Sequence, residues 1–309
     1  MKESSALIPA VPVPGLPFRL VLGKEQEEKM FVLGQALNLL DERIYRAVRQ
    51  RDGDTIRGLA VQQIRDGADG LDICLGNWNR CGEVLPWIVK QVRKVSECPL
   101  FLPPCPEGLP ASLKAAGPGS FINCVTADAS QLRSMFSAAE SLDASLVVLL
   151  TRKGYLPATL DEICLVAEEV LELAEKQGFP VERLVLDPVI RPRTGCFSWG
   201  MELLFPDITL FMEAIFLIGR LRDNKVKTMV ALSNIRSFFA GHVNNSLQVQ
   251  VLRLLSSAGL DFAMINTGNR ELVTAAKQVN SEMNISPFSG SIWQEMPWEN
   301  HKAPMVSAG

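Results

Sequence analysis

Residues 145–186 read SLVVLLTRKGYLPATLDEICLVAEEVLELAEKQGFPVERLVL, and this stretch decides the fold. The run Ser145–Leu150 is short and apolar without strict alternation, which is typical of a parallel strand buried on both faces. Thr159 and Glu162 then form a capping box that begins a helix, and a glycine ends it. A second apolar run, Leu184–Leu186, follows the helix. The stretch therefore predicts a strand–helix–strand unit.

The same unit repeats along the chain. Short apolar runs are the predicted strands: Met30–Leu33, Leu71–Leu75, Leu100–Leu102, Phe121–Val125, Ser145–Leu150, Leu184–Leu186, Thr228–Leu232 and Phe262–Ile265. Apolar residues at helical spacing predict the helices between them: Asp54–Asp66, Gly82–Val95, Asp128–Leu142, Thr159–Gly178, Ile208–Asp223, Ser246–Ala258 and Arg270–Asn280. Eight such units in 309 residues predict a (β/α)8 barrel, and a doubly wound open sheet is the structural alternative.

Two segments fall outside the predicted barrel, which takes up residues 30–285. Residues 1–29 form an N-terminal extension or hairpin that is Pro-rich and then highly charged, without the continuous apolar stretch of a signal peptide. Residues 286–309 form a C-terminal tail with two tryptophans. We expect this tail to pack on the barrel surface or on a partner subunit.

Charge and cysteine content limit the classes of function. The 31 basic and 34 acidic residues give a net charge of −3, so the charge gives no reason to expect nucleic acid, whose phosphates need a basic face. The most apolar stretch, Ile208–Ile218, contains Glu213 and is far shorter than the ~20 residues that span a membrane. Seven cysteines are an odd number without any C-x-x-C pair. We therefore expect reduced thiols, a cytoplasmic protein and no structural zinc site.

Polar side chains lie on the predicted strands or just after them, where barrels of this kind carry their reacting groups. They are Asn38, Asp72, Asn123, Thr151–Arg152, Asp187, Ser233–Asn234 and Asn266. Buried amides and carboxylates are costly without hydrogen-bond partners, and amides offer both donors and acceptors. Such a ring of polar groups suits a flat, amide-rich heterocycle.

Six motifs in register carry a family resemblance. They are FVLGQALN (31–38), GADGLDICLG (67–76), FINCV (121–125), LDPVIRP (186–192), ALSN (231–234) and GLDFAMIN (259–266). Together they resemble the methyltetrahydrofolate–corrinoid methyltransferases. That family is a pterin-binding branch of TIM barrels, to which dihydropteroate synthase and the folate domain of cobalamin-dependent methionine synthase also belong. The resemblance covers about residues 30–285.

The resemblance implies methyl transfer between N5 of methyltetrahydrofolate and the cobalt of a corrinoid that a separate protein carries. By position, Asn123 and Asp187 are expected to hydrogen-bond the pterin ring, and Asn234 to lie near N5, where charge changes as the methyl group moves. Asp72 is expected to brace neighbouring loops, and Asn38 and Asn266 to complete the substrate-binding set.

The sequence departs from the family pattern on three strands. Gln35 and Ala36 stand where the family has Glu and Arg, and Cys74 stands where it has Asn. Pro103 replaces the third-strand Asp that grips the amino-pyrimidine edge of the pterin. Proline supplies no side-chain acceptor, and a lost charge-assisted hydrogen bond costs about 1.5–3 kcal/mol.

Two alternatives to the methyltransferase follow from these departures. One is a divergent barrel for another methyl donor or heterocycle, in which loop residues replace the lost contacts: Trp78, Arg80, Arg152, Tyr155 and Arg193. The other is a non-catalytic partner of a corrinoid protein. The segment Ile208–Asp223 is apolar on more than one face, which indicates a homodimer interface. Buried thiols at Cys74, Cys105 and Cys124 are expected to be small apolar fillers.

Overall fold

The computed structural model describes residues 30–76, 78, 81–191, 193–197, 200–204, 206–238 and 245–278. Its strands are β1 (Phe31–Asn38), β2 (Gly70–Cys74), β3 (Leu100–Leu102), β4 (Phe121–Thr126), β5 (Ser145–Leu149), β6 (Leu184–Asp187), β7 (Arg193–Phe197), β8 (Gly200–Leu204), β9 (Lys227–Ala231) and β10 (Phe262–Ile265). Its α-helices are α1 (Glu42–Arg49), α2 (Gly53–Arg65), α3 (Cys81–Arg93), α4 (Leu109–Ala116), α5 (Ala129–Ser141), α6 (Leu160–Lys176), α7 (Ile208–Ile218), α8 (Ser233–Phe238), α9 (Asn245–Ser257) and α10 (Arg270–Gln278).

Eight parallel strands close into a barrel. The order around it is β1-β2-β3-β4-β5-β6-β9-β10, and β1 pairs with both β2 and β10. This closure confirms the (β/α)8 barrel and excludes the doubly wound open sheet. The capping box is also as predicted, because Thr159 accepts from the Glu162 amide and the Glu162 carboxylate accepts from the Thr159 amide.

Two apolar cores support the barrel. One lies between the strands and the surrounding helices, and the other fills the barrel interior. In the interior, four phenylalanines from β1, β3, β4 and β10 contact one another, and the Phe101 and Phe121 rings stack at 4.1 Å: Phe31, Phe101, Phe121 and Phe262. Leu33, Val147, Val185 and Met229 belong to the same interior core.

Several elements differ from the sequence-based expectations. β1 continues to Asn38, so that residue ends the strand instead of following it. The antiparallel hairpin β7–β8 follows β6 and was not among the predicted strands. The short helices α1 and α4 were not predicted, because eight residues are too few to establish a helical period.

Most apolar side chains of helix α7 are covered by neighbouring elements of the same barrel. It contacts α6, α9 and β9, and six of its eleven residues are buried. Leu217 remains 38% exposed. The helix therefore does not require a second subunit to cover most of its apolar side chains.

The N-terminal extension (1–29) and the C-terminal tail (286–309) lie outside the described residues, so their predicted roles stay predictions. None of the helices within the described ranges is long and apolar enough to span a membrane.

Candidate functional site

Asp72 and Asn123 meet inside the barrel. Asn123 Nδ2 donates to Asp72 Oδ1 at 2.7 Å, and the two residues are only 6% and 8% exposed. Asp72 lies on β2 and Asn123 on β4, the two strands that flank β3. Because β2 and β4 flank β3, the contact crosses the inner face of β3. Near Asn123, the β4–β5 register shifts between Ile122 and Val125, and the peptide bond from Asn123 to Cys124 is cis.

Asp187 ends β6 and is also buried. Its Oδ1 accepts a hydrogen bond from the Val189 amide at 2.7 Å. Val189 adopts a left-handed backbone conformation with φ 57°, which is a genuine outlier for a β-branched residue. Such strain persists only where the surrounding structure holds it, and it concentrates at functional sites.

The two buried carboxyl groups have unusual acidities. Burial raises the pKa of Asp72 to about 7, although the hydrogen bond from Asn123 opposes the shift. Burial likewise raises the pKa of Asp187 to about 7, opposed by the Val189 amide. Among the residues that the structure describes, no cation contributes to either shift. These groups can therefore accept hydrogen bonds from a ligand that brings its own N–H donors.

Two free cysteines share this interior. Burial, followed by the charges of Asp187, Asp72 and Cys74, raises the pKa of Cys124 to about 12. Burial also raises the pKa of Cys74. Since the thiolate is the nucleophilic form, neither residue is prepared for nucleophilic attack. Their electrostatic coupling also indicates that Asp72, Asp187 and both thiols lie within one region.

The remaining predicted residues lie at the rim. Asn38 Oδ1 accepts from the Leu40 amide, and Asn266 Oδ1 accepts from the Gly268 amide, so both form Asx turns. Both also border a cavity of about 600 Å³ beside α1 and α2. Asn234 is the second residue of α8 and lies three residues after the end of β9. It is partly buried, and among the described residues its side chain makes no hydrogen bond.

Two arginines near the rim bind groups of the barrel itself. Arg152 forms an ion pair with Glu169 on α6. The Arg191 guanidinium donates to the backbone carbonyl of Pro157. Arg80 and the side chain of Arg193 lie outside the described residues. Of the three loop arginines named for the divergent barrel, the structure therefore describes only the side chain of Arg152, and that guanidinium is paired with Glu169.

A disulfide bond overturns one expectation. Cys81, at the start of α3, is bonded to Cys105, which follows β3. The prediction that all seven cysteines are reduced was therefore wrong, as was the interpretation of Cys105 as an apolar filler. The missed signal was positional, because both residues follow the carboxyl ends of neighbouring parallel strands. The disulfide ties the loop that contains Pro103 to the loop that follows β2.

No family model matches the sequence. The chain is 24% identical over 192 residues to the methylcorrinoid:tetrahydrofolate methyltransferase of Eubacterium limosum. The aligned region covers 58% of this chain and 71% of that protein.

Solved structures show the same fold. The dihydropteroate synthase of Xanthomonas albilineans in complex with 7,8-dihydropteroate matches with a TM-score of 0.56 and 18% identity, over 87% of this chain and 94% of that one. The 7,8-dihydropteroate synthase of Vibrio fischeri matches with a TM-score of 0.59 and 13% identity, over 88% and 96%. These comparisons confirm the resemblance to the pterin-binding TIM barrels. Within them, the resemblance is to the corrinoid–tetrahydrofolate methyltransferases.

Proposed function

We propose that this protein is a methyltransferase that moves a methyl group between N5 of tetrahydrofolate and the cobalt of a corrinoid carried by a partner protein. The observation that carries the proposal is the buried group Asp72, Asn123 and Asp187, whose unpaired acceptors suit the N–H edge of a pterin ring. The methyltransferase of Eubacterium limosum, related in sequence, supports this reaction class.

The proposed roles follow from the positions that these residues share with the family pattern. Asn123 and Asp187 hydrogen-bond the pterin ring, while Asn38 and Asn266 line its entrance. Asn234 lies near N5, where its neutral amide can reorient as charge develops or disappears, without needing a shifted pKa. The corrinoid supplies the methyl-accepting or methyl-donating cobalt, and the barrel supplies orientation.

Titration calorimetry with methyltetrahydrofolate tests the binding step. We expect saturable heat from the wild-type protein, and a loss of at least about tenfold in affinity for Asn123→Ala, because its amide meets the ring directly. Gln177→Ala is the matched control, since Gln177 is exposed at the C-terminal end of α6, away from the site. An absence of heat and of thermal protection at millimolar ligand would contradict the proposal.

Transfer itself is tested by incubating the protein with tetrahydrofolate and methylcobalamin, and by following loss of the methylcobalt absorbance. We expect methyltetrahydrofolate to form in proportion to the methyl group lost. Binding without transfer in either direction would favour the divergent barrel that uses another methyl donor.

A cytoplasmic location and a homodimer are further parts of the proposal. Leu217 on α7 and Leu165 on α6 are 38% and 57% exposed, which supports a further apolar contact. Light scattering is the test of the homodimer. A mass equal to the 34.0 kDa of one chain would contradict it.

A further inference from the structure

An open groove lies beyond the carboxyl ends of β1 and β2, between helices α1 and α3. Its volume is about 640 Å³. Four buried aliphatic side chains form its floor: Leu39, Val48, Leu75 and Val84. A cavity of this size can bury a large aromatic side chain or a drug-sized molecule. We call it the α1–α3 groove.

Apolar surface continues from the floor of the groove to its rim. The Tyr45 and Trp78 rings, which line one wall, have their centres 5.0 Å apart. Leu40 at the rim is 72% exposed, the highest value among the large apolar side chains that the structure describes. A continuous apolar surface of this kind indicates a contact with another apolar segment.

The rim of the groove is also basic. Arg49 and Arg51 border it, and Arg49 makes no ion pair with any residue that the structure describes. Arg51 approaches the exposed Glu83 at 3.9 Å, which leaves its guanidinium open to a second acid. The groove therefore suits an occupant that combines aromatic side chains with carboxylates.

The C-terminal tail contains a segment of that chemistry. Residues 292–299 read IWQEMPWE, with two tryptophans, two glutamates and no basic residue. Tryptophan anchors many protein contacts, because one ring buries a large apolar area. The two glutamates match the two arginines at the rim in number and are opposite to them in charge.

The chain is long enough to bring this segment to the groove. Helix α10 ends at Gln278, and Lys277 binds Asp69, which directly precedes β2. The helix therefore ends beside the amino end of β2. Leu75 in the groove follows Asp69 by six residues, a rise of about 20 Å along the strand. The 15 residues that lead from Gln278 to Trp293 span up to about 50 Å, so they can also pass around a helix layer about 10 Å thick.

We propose that the segment 292–299 occupies the α1–α3 groove of its own chain. A tryptophan enters the cavity beside Tyr45 and Trp78, and the acidic side chains lie against Arg49 and Arg51. The groove does not include the buried polar residues of the proposed function, so this inference does not depend on methyl transfer.

Cross-linking within the full chain tests the proposal. Leu40→Cys combined with Gln294→Cys places one thiol at the rim and one in the segment. Ser134→Cys combined with Gln294→Cys is the matched control, because Ser134 is exposed on α5, which packs on β4 and β5. We expect a mild oxidant to join the first pair at least about tenfold faster than the second, since docking raises the local concentration of the tail thiol. Peptide mass spectrometry identifies the joined cysteines, and a product with the mass of one chain shows that the bond is intramolecular.

Two changes made in the first pair test recognition. Replacing Trp293 and Trp298 together by Ala removes the aromatic anchors, so the rate should fall to that of the control pair. Arg49→Glu should also slow the reaction, because it places a negative charge beside the glutamates of the segment. Arg133→Glu, at an exposed arginine on α5, should leave the rate unchanged.

Each outcome bears on the inference. Preferential cross-linking within one chain, slowed by the tryptophan and Arg49 changes and not by Arg133→Glu, supports it. Equal rates in the two pairs overturn it, as does a rate that the tryptophan or Arg49 changes leave unaltered. Products that form only between chains also overturn it, and they assign the groove to a second copy of the protein.

Discussion

Asn234 is the residue on which the proposed chemistry depends most directly. We expect Asn234→Ala to lower the rate of methyl transfer by about 10²-fold, because a positioned amide that follows the charge at N5 is lost. Affinity for methyltetrahydrofolate should change much less. Steady-state transfer rates and calorimetry separate the two effects. Turnover equal to that of Gln177→Ala would remove Asn234 from the mechanism.

A second prediction for a single residue concerns Asp72 and the pH dependence of folding stability. The folded protein keeps a proton on this acid up to about pH 7, whereas an unfolded chain releases it near 3.8. Folding stability is therefore lost as pH rises between these values. Asp72→Asn removes the buried charge but keeps an oxygen that accepts from Asn123.

We accordingly expect Asp72→Asn to raise the free energy of unfolding at pH 8, by up to about 4 kcal/mol, and to have little effect near pH 4. Urea unfolding at both pH values measures the change. Asp143→Asn should change neither value, because that side chain is 85% exposed. A variant that is less stable than wild type at pH 8 would show that ionisation of the buried Asp72 carboxyl does not destabilise the folded protein.

At the scale of elements, the sequence predicted the strands well because both of their faces are buried. β3 and β10 have the predicted bounds, and the other barrel strands differ by a few residues at one or both ends. The hairpin β7–β8 was missed because its strands follow a proline and their apolar runs are too short and too often interrupted to predict a strand. The sequence also did not predict the Asp72–Asn123 contact, because that contact depends on which side chains of β2 and β4 meet across the inner face of β3.

The disulfide between the loops after β2 and β3 gives the element-scale prediction. It closes a loop with a sequence separation of 24 residues. Replacing both Cys81 and Cys105 by Ser should lower the free energy of unfolding by about 3 kcal/mol, because the unfolded chain regains freedom. Cys164→Ser, at a free cysteine on α6, is the control.

Urea unfolding without reductant measures this loss of stability. Alkylation followed by mass spectrometry provides the independent check, since unreduced protein should take up two fewer labels than reduced protein. Equal labelling before and after reduction would show that the bond does not form in solution.

For the whole molecule, ligand binding and folding are linked through the buried acids. A pterin that donates N–H groups prefers the ionised carboxylates, so affinity should fall as pH is lowered through about 7, where Asp72 and Asp187 take up protons. Saturation at a hundred times Kd raises the free energy of unfolding by about 2.7 kcal/mol.

Thermal unfolding with and without methyltetrahydrofolate, near pH 7.5 and near pH 5.5, compares the two conditions. The ligand should raise Tm more at the higher pH. Stronger protection at the lower pH would mean that the protonated acids donate to the ligand, which contradicts the acceptor assignment.

The four phenylalanines inside the barrel also bear on the order in which the proposed reactants bind. Phe31, Phe121 and Phe262 are the first residues of β1, β4 and β10, so their rings occupy the interior at the amino ends of the strands. We therefore expect a ligand to reach Asp72 from the carboxyl ends. The proposed corrinoid partner has to approach N5 from the same side. If the proposed folate and the proposed partner both use this entrance, we expect the folate to enter before the partner docks and to leave after it departs. Initial-rate kinetics should therefore follow a compulsory-order mechanism, with the folate as first substrate and last product.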